Sequence, residues 1–178
     1  MSAESSSART RRPAGDECGP YYAGYFSLVP EGDIAATLLS QGKEHRNFFA
    51  GLPRDKHDHR YAPGKWSVKE ILGHLMDAER IFAYRALRFA RGDAAPLAGM
   101  DPDEFVVGGR FGSRSMENLL KEYTSLRTAT TSMVLGFDEE ALGRTGVASG
   151  SNFTVLSILY FLVGHGIHHV GIVRERYL

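Results

Sequence analysis

A helical hydrophobic period recurs four times in this chain, and no clear period-two segment competes with it. That repetition limits the fold more than any single motif does. The first run follows Asp33, a capping residue, and places Ile34, Leu38, Gln41, His45, Phe48 and Leu52 on one line before Pro53 ends it. The second starts at "SVKE", a capping box in which the Ser67 hydroxyl accepts the N3 amide and Glu70 reaches back. Its seam reads Ile71, His74, Ala78, Ile81 and Arg85, widened by Leu75 and Phe82, with Gly92 as a C-cap residue. The third run starts near Ser115 and shows Leu119, Tyr123, Leu126, Thr130, Met133 and Phe137. Thr154 caps the fourth, whose seam is Val155, Ile158, Leu162, His165, His169 and Ile172.

Four amphipathic helices predict an all-α four-helix bundle. Between the second and third runs lies a connection of about twenty residues, from Gly92 to roughly Arg114, and loops of that length are uncommon and often functional. It can span the bundle, so the third helix need not run antiparallel to the second.

At 178 residues the chain reads as one domain, residues 21–178, behind a poorly ordered tail over residues 1–20 rich in Ser, Arg, Ala and Gly. The twin arginines in "TRRPAG" lack the apolar stretch of an export signal behind them. The longest apolar run, from Val155, reads as too short for a membrane span. Basic and acidic residues balance at 21 each, without the basic excess of a nucleic-acid surface. One cysteine, Cys18, forms no internal disulfide, which favours a reducing, cytoplasmic compartment.

Histidines interrupt two of the apolar seams. His165 and His169 are four apart and stack on the face of Ile158, Leu162 and Ile172, while His74 lies in the seam of the second helix. His74 is roughly 10 Å beyond Ser67, and the pair is roughly 14–20 Å from the chain end. The three meet only if those helices run antiparallel. Either they are hydrogen-bonded core residues or they share a cation. An unmet buried polar group costs ~1–3 kcal/mol, and one divalent ion would satisfy all three rings. Imidazole suits Zn, Ni, Cu or Fe, and three protein ligands leave positions open for water or substrate.

His168, about 100° round the helix, either flanks the site or faces solvent. His45 is a reserve ligand, and His57 and His59 belong to a charged loop. Gly164, Gly166 and Gly171 allow either close helix packing or room for a ligand. No Ser-His-Asp or Cys-His nucleophile and no phosphate-binding glycine loop is present.

"YAPGKWSVKEILGHLMDAERIFAYRALRFARGD" followed by "GHGIHHVGIVRERYL" resembles the DinB-like (YfiT-like) superfamily of metal-dependent proteins, from about Pro30 to Leu178. The resemblance implies a four-helix bundle with unusual connectivity through the long second-to-third connection. It also implies one divalent metal, commonly zinc or nickel, on His74, His165 and His169. Some relatives are transferases or isomerases that use a low-molecular-weight thiol. Relatives often carry an acid where this chain has Gly166, which has no side chain to transfer a proton.

Asp77, one turn past His74, is a candidate to orient a ligand imidazole, and Arg85 to bind an anionic substrate group or pair with an acid. The expectation is a metal-dependent enzyme, a hydrolase or a thiol-dependent transferase, acting on a small molecule, with no nucleic-acid or membrane partner; a homodimer is compatible with it. The alternatives are a non-catalytic metal-binding or stress-associated protein and a plain bundle.

Overall fold

The computed structural model describes residues 8–93 and 95–178. Four long helices carry it: α2 (Ile34–Ala50), α3 (Val68–Ala90), α5 (Met116–Leu135) and α7 (Val155–Arg176). Shorter helices are α1 (Pro20–Ala23), α4 (Pro102–Gly109) and α6 (Glu139–Gly143). Each long helix starts where its capping signal stands. Asp33 accepts from the amides of Ala35 and Ala36, and Ser115 from Asn118. The Ser67–Glu70 box closes in both directions, and Thr154 forms a second such box with Ser157.

Two buried clusters fix the chain directions. One joins the N-terminal halves of α3 (Val68 to Met76) and α5 (Met116 to Tyr123) to Phe49 near the end of α2 and Val173 near the end of α7. The other joins the C-terminal parts of α3 (Phe82 to Ala90) and α5 (Val134) to the starts of α2 (Ile34 to Leu38) and α7 (Val155 to Val163). Therefore α3 and α5 run parallel, and α2 and α7 run parallel to each other in the opposite direction. The connection between α3 and α5 crosses the full length of the bundle, which the expected chain path required.

That connection is more structured than a loop. Asp101 caps α4, accepting from the amides of Asp103 and Glu104, with Pro102 in the first turn. Upstream, the Leu97 amide donates to the Val147 carbonyl at 2.9 Å and the Leu97 carbonyl accepts from Ser149 at 3.0 Å. The expected absence of strands is corrected as well. β1 (Thr145–Ala148) and β2 (Ser151–Thr154) form an antiparallel hairpin turning on Ser149 and Gly150, both at positive φ. Four residues per strand are too few for alternation to emerge from the pattern.

Residues 1–7 of the expected tail lie outside the described residues, but residues 8–20 pack on the bundle. Arg9 is 1% exposed and its Nε donates to Asp33 Oδ2 at 3.0 Å. Of the twin arginines, Arg11 pairs with Glu17 and Arg12 donates to the carbonyls of Phe26 and Val29. Glu17 in turn accepts from the Thr154 hydroxyl at 2.9 Å, and Cys18 is buried beside Phe153. The apolar length of α7 also differs from expectation. Val155–Arg176 is long and apolar enough to span a membrane by composition, with a mean hydropathy of 1.5, yet 72% of that window is buried inside the protein. Its apolar surface belongs to a central helix wrapped by its neighbours.

Candidate metal centre

Because α3 and α7 are antiparallel, His74 meets His165 and His169. One ligand nitrogen from each lies within 4.8 Å of the other two. His74 Nε2 and His165 Nε2 are 3.0 Å apart. His74 and His165 are both 6% exposed, and His169 is half-buried. Trp66, just before α3, packs on His74 at 4.7 Å and lies near-parallel to His169 at 6.3 Å. Its indole N–H is anchored on Asp103 at 2.9 Å, so the start of α4 holds this wall in place. Phe161, one turn before His165, stacks on it at 5.1 Å.

Burial sets the charge state of the cluster. It pushes the His74 ring down to about 4, with Asp103 pulling the other way. It pushes His169 down to about 3, helped by His74 and His168. It holds His165 well below the ordinary histidine range, and the neighbouring imidazoles add to the effect. The rings are therefore neutral at pH 7, the form in which imidazole ligates. His74 Nδ1, on the far side of the ring from His165, is buried without a partner among the described residues. Three neutral imidazoles this close together fit a divalent transition ion.

The cluster opens on a cavity of about 290 Å³. Tyr22, Tyr25, Phe82 and Phe161 line it as one packed aromatic wall, and Arg85 lines it beside Phe82. The Tyr25 ring packs on His165 at 5.9 Å and its hydroxyl lies 3.2 Å from that of Tyr21. Burial and Tyr21 raise the Tyr25 phenol, keeping it protonated. This aromatic wall was not foreseen from the sequence, although the aromatic run "YYAGYF" was a visible signal.

The other candidates separate cleanly. His168 is exposed at the cavity rim, against Tyr25 at 5.4 Å and His169 at 5.2 Å. Asp77 does not reach the histidines. It pairs with Arg80 at 3.6 Å, and burial raises its carboxyl in the company of Glu122 and Arg114, all on the α5 side. His45 is buried, 3.3 Å from the Tyr123 hydroxyl, and lies outside the three-histidine group. His57 is in the charged loop, near the Leu52 carbonyl at 3.2 Å, and His59 is exposed.

Two glycines resolve toward packing. A Cβ on Gly164 would lie 2.4 Å from the Tyr25 carbonyl oxygen, and one on Gly166 would lie 2.8 Å from His45 Cε1. The place of an acid after His165 is thus filled by a side chain from α2. Beneath it runs a buried network: Arg127 pairs with Glu79 at 2.9 Å and donates to Gln41 at 2.9 Å, and Gln41 donates to the Val163 carbonyl at 2.7 Å.

A family model described as the DinB superfamily matches residues 38–173. Among solved structures, the chain is similar to YfiT from Bacillus subtilis, described as a probable metal-dependent hydrolase with an unusual four-helix bundle topology. The TM-score is 0.72 at 16% identity, covering 80% of this chain and 82% of that one. At that identity the likeness speaks to fold alone. No curated protein matches.

Proposed function

This chain belongs to the DinB superfamily, and on that footing we propose that it is a metal-dependent hydrolase of a small molecule. The observation that carries the reading is three neutral imidazoles, from two helices, converging within 4.8 Å beside a cavity. His74, His165 and His169 would hold one divalent ion, zinc or nickel. Such an ion, when bound, supplies Lewis-acid polarisation and activation of water. The chain's own side chains do the rest. Trp66 and Phe161 pack against the imidazoles and fix their orientation, while Tyr22 and Tyr25 give the adjoining cavity an apolar wall. The Tyr25 ring lines the same space, with its hydroxyl held 3.2 Å from that of Tyr21.

The adjoining cavity favours catalysis over storage or sensing, which a sealed four-ligand site would serve better. Cys18 is no nucleophile here: it is buried, away from the histidines, and burial pushes its thiol up to about 11. The test is metal analysis of untagged protein, followed by thermal melting with added Zn²⁺ or Ni²⁺. About one equivalent of metal and a raised melting temperature are expected. Less than about 0.2 equivalents, with melting unchanged on metal addition, would overturn the proposal.

A further inference from the structure

Arg85 is a charge without a counter-charge. It projects from the inner seam of α3 and is 2% exposed, yet no carboxylate among the described residues pairs with it. One guanidinium nitrogen, Nη2, donates to the Ala98 carbonyl at 2.9 Å and to the Ser149 hydroxyl at 2.8 Å. The plane lies over the Phe82 ring at 4.5 Å, and the Tyr22 phenol is its other polar neighbour. All of these are neutral acceptors or π-faces. A buried guanidinium is normally matched by a carboxylate or phosphate, because its desolvation is costly otherwise. The other buried arginines and lysine among the described residues, Arg9, Lys69 and Arg127, each have an acid beside them; Arg85 has a cavity instead.

The cavity has a defined long direction. Phe82 packs on Phe161 at 4.3 Å, and Phe161 stacks on His165, so an aromatic wall runs unbroken from the guanidinium to the imidazoles. Arg85 and His74 are eleven residues apart on one face of α3, roughly 16 Å between backbones. Arg85 is the one arginine or lysine on the lining among the described residues. A single fixed positive charge matches a monoanion better than a phosphate dianion.

We infer that the substrate is a small carboxylate with an aromatic or apolar body, its carboxylate held by Arg85 and its opposite end presented to the histidines. The inference deepens the proposed hydrolase reading and takes from it only which end reacts. Arg85 is a substrate-binding residue in this scheme, and Ser149 and the Ala98 carbonyl hold its fork in place.

The experiment measures binding of 3-phenylpropionate and of its neutral amide to the full-length protein, by calorimetry, metal-free and zinc-loaded. Saturable binding of the acid is expected in both forms, at least about tenfold tighter than the amide. Arg85→Met should erase that preference, and His169→Ala should keep it. No saturable binding of the acid up to about 10 mM, or equal binding of acid and amide, overturns the inference. So does an acid preference seen only with zinc, which would place the carboxylate on the metal. If the protein takes up no metal but prefers the acid, the hydrolase reading fails while the Arg85 assignment stands. Should Arg85→Met not fold, the wild-type acid–amide comparison decides, together with nuclear Overhauser contacts from the bound acid to the Phe82 ring; their absence counts against the inference.

Discussion

Histidine spacing was the most legible part of the site, because i, i+4 on an apolar seam leaves only one direction for two imidazoles to point. The same rule separates His169 from its neighbour. His169→Ala should abolish stoichiometric zinc uptake with the bundle still folded, whereas His168→Ala should leave metal content nearly unchanged, both read by metal analysis beside circular dichroism. Metal loss in His168→Ala would reverse the assignment within the pair. Asp77 was less legible: three residues past His74 the helix has turned by about 300°, which swings the carboxylate toward Arg80 and Glu122 on the α5 side. Gly166 could not be read at all, since what fills its space comes from a different helix. Gly166→Ala should destabilise by about 1–3 kcal/mol, because the new methyl meets the buried His45 ring. Combining it with His45→Ala should cost less than the two single changes added together in denaturant melts. Strict additivity would mean that the two positions do not press on one another.

At the scale of elements, caps were readable and context was not. Asp33, Ser67, Ser115 and Thr154 each stand where a helix begins, because an N-cap acts on amides within three residues. The docking of the hairpin and of α4 rests on distant partners, Leu97 on Val147 and Asp103 on Trp66, which no local window contains, although α4 carries its own local cap at Asp101. The N-terminal segment misled for the same reason. Its composition is that of a tail, yet Arg9 and Arg12 tie it to Asp33 and to the carbonyls of Phe26 and Val29. That tie positions Tyr22 and Tyr25 on the cavity wall. Arg12→Ala should therefore lower stability by about 1–3 kcal/mol and speed hydrogen exchange in the Tyr22–Val29 amides, leaving exchange in α5 little changed. Uniform acceleration across the bundle would instead make Arg12 a part of the global core.

For the whole molecule, chain direction decided whether there was a site, and direction is a property of the two buried clusters rather than of any motif. Four imidazoles, His45, His74, His165 and His169, lie in the interior between those clusters. Burial holds His45 and His169 at about 3 and His74 at about 4, and keeps His165 low as well. An unfolded histidine takes up its proton near pH 6.5. Below that value the unfolded chain binds protons that the folded one refuses, so stability falls as pH falls from about 6.5 toward about 3. The loss is roughly 1 kcal/mol for each such histidine between pH 7 and 5.5 in metal-free protein. Urea midpoints taken across that range should drop steadily, and His45→Ala should shrink the slope by about a quarter, since it removes one of four contributors. Zinc should raise the midpoint at pH 7 and lose that effect on acidification, because protons and metal compete for the same lone pairs. A metal-free midpoint that stays flat between pH 7 and 5 would mean the imidazoles are charged or solvated in the folded state. A neutral three-histidine cluster ready to take an ion could not then exist.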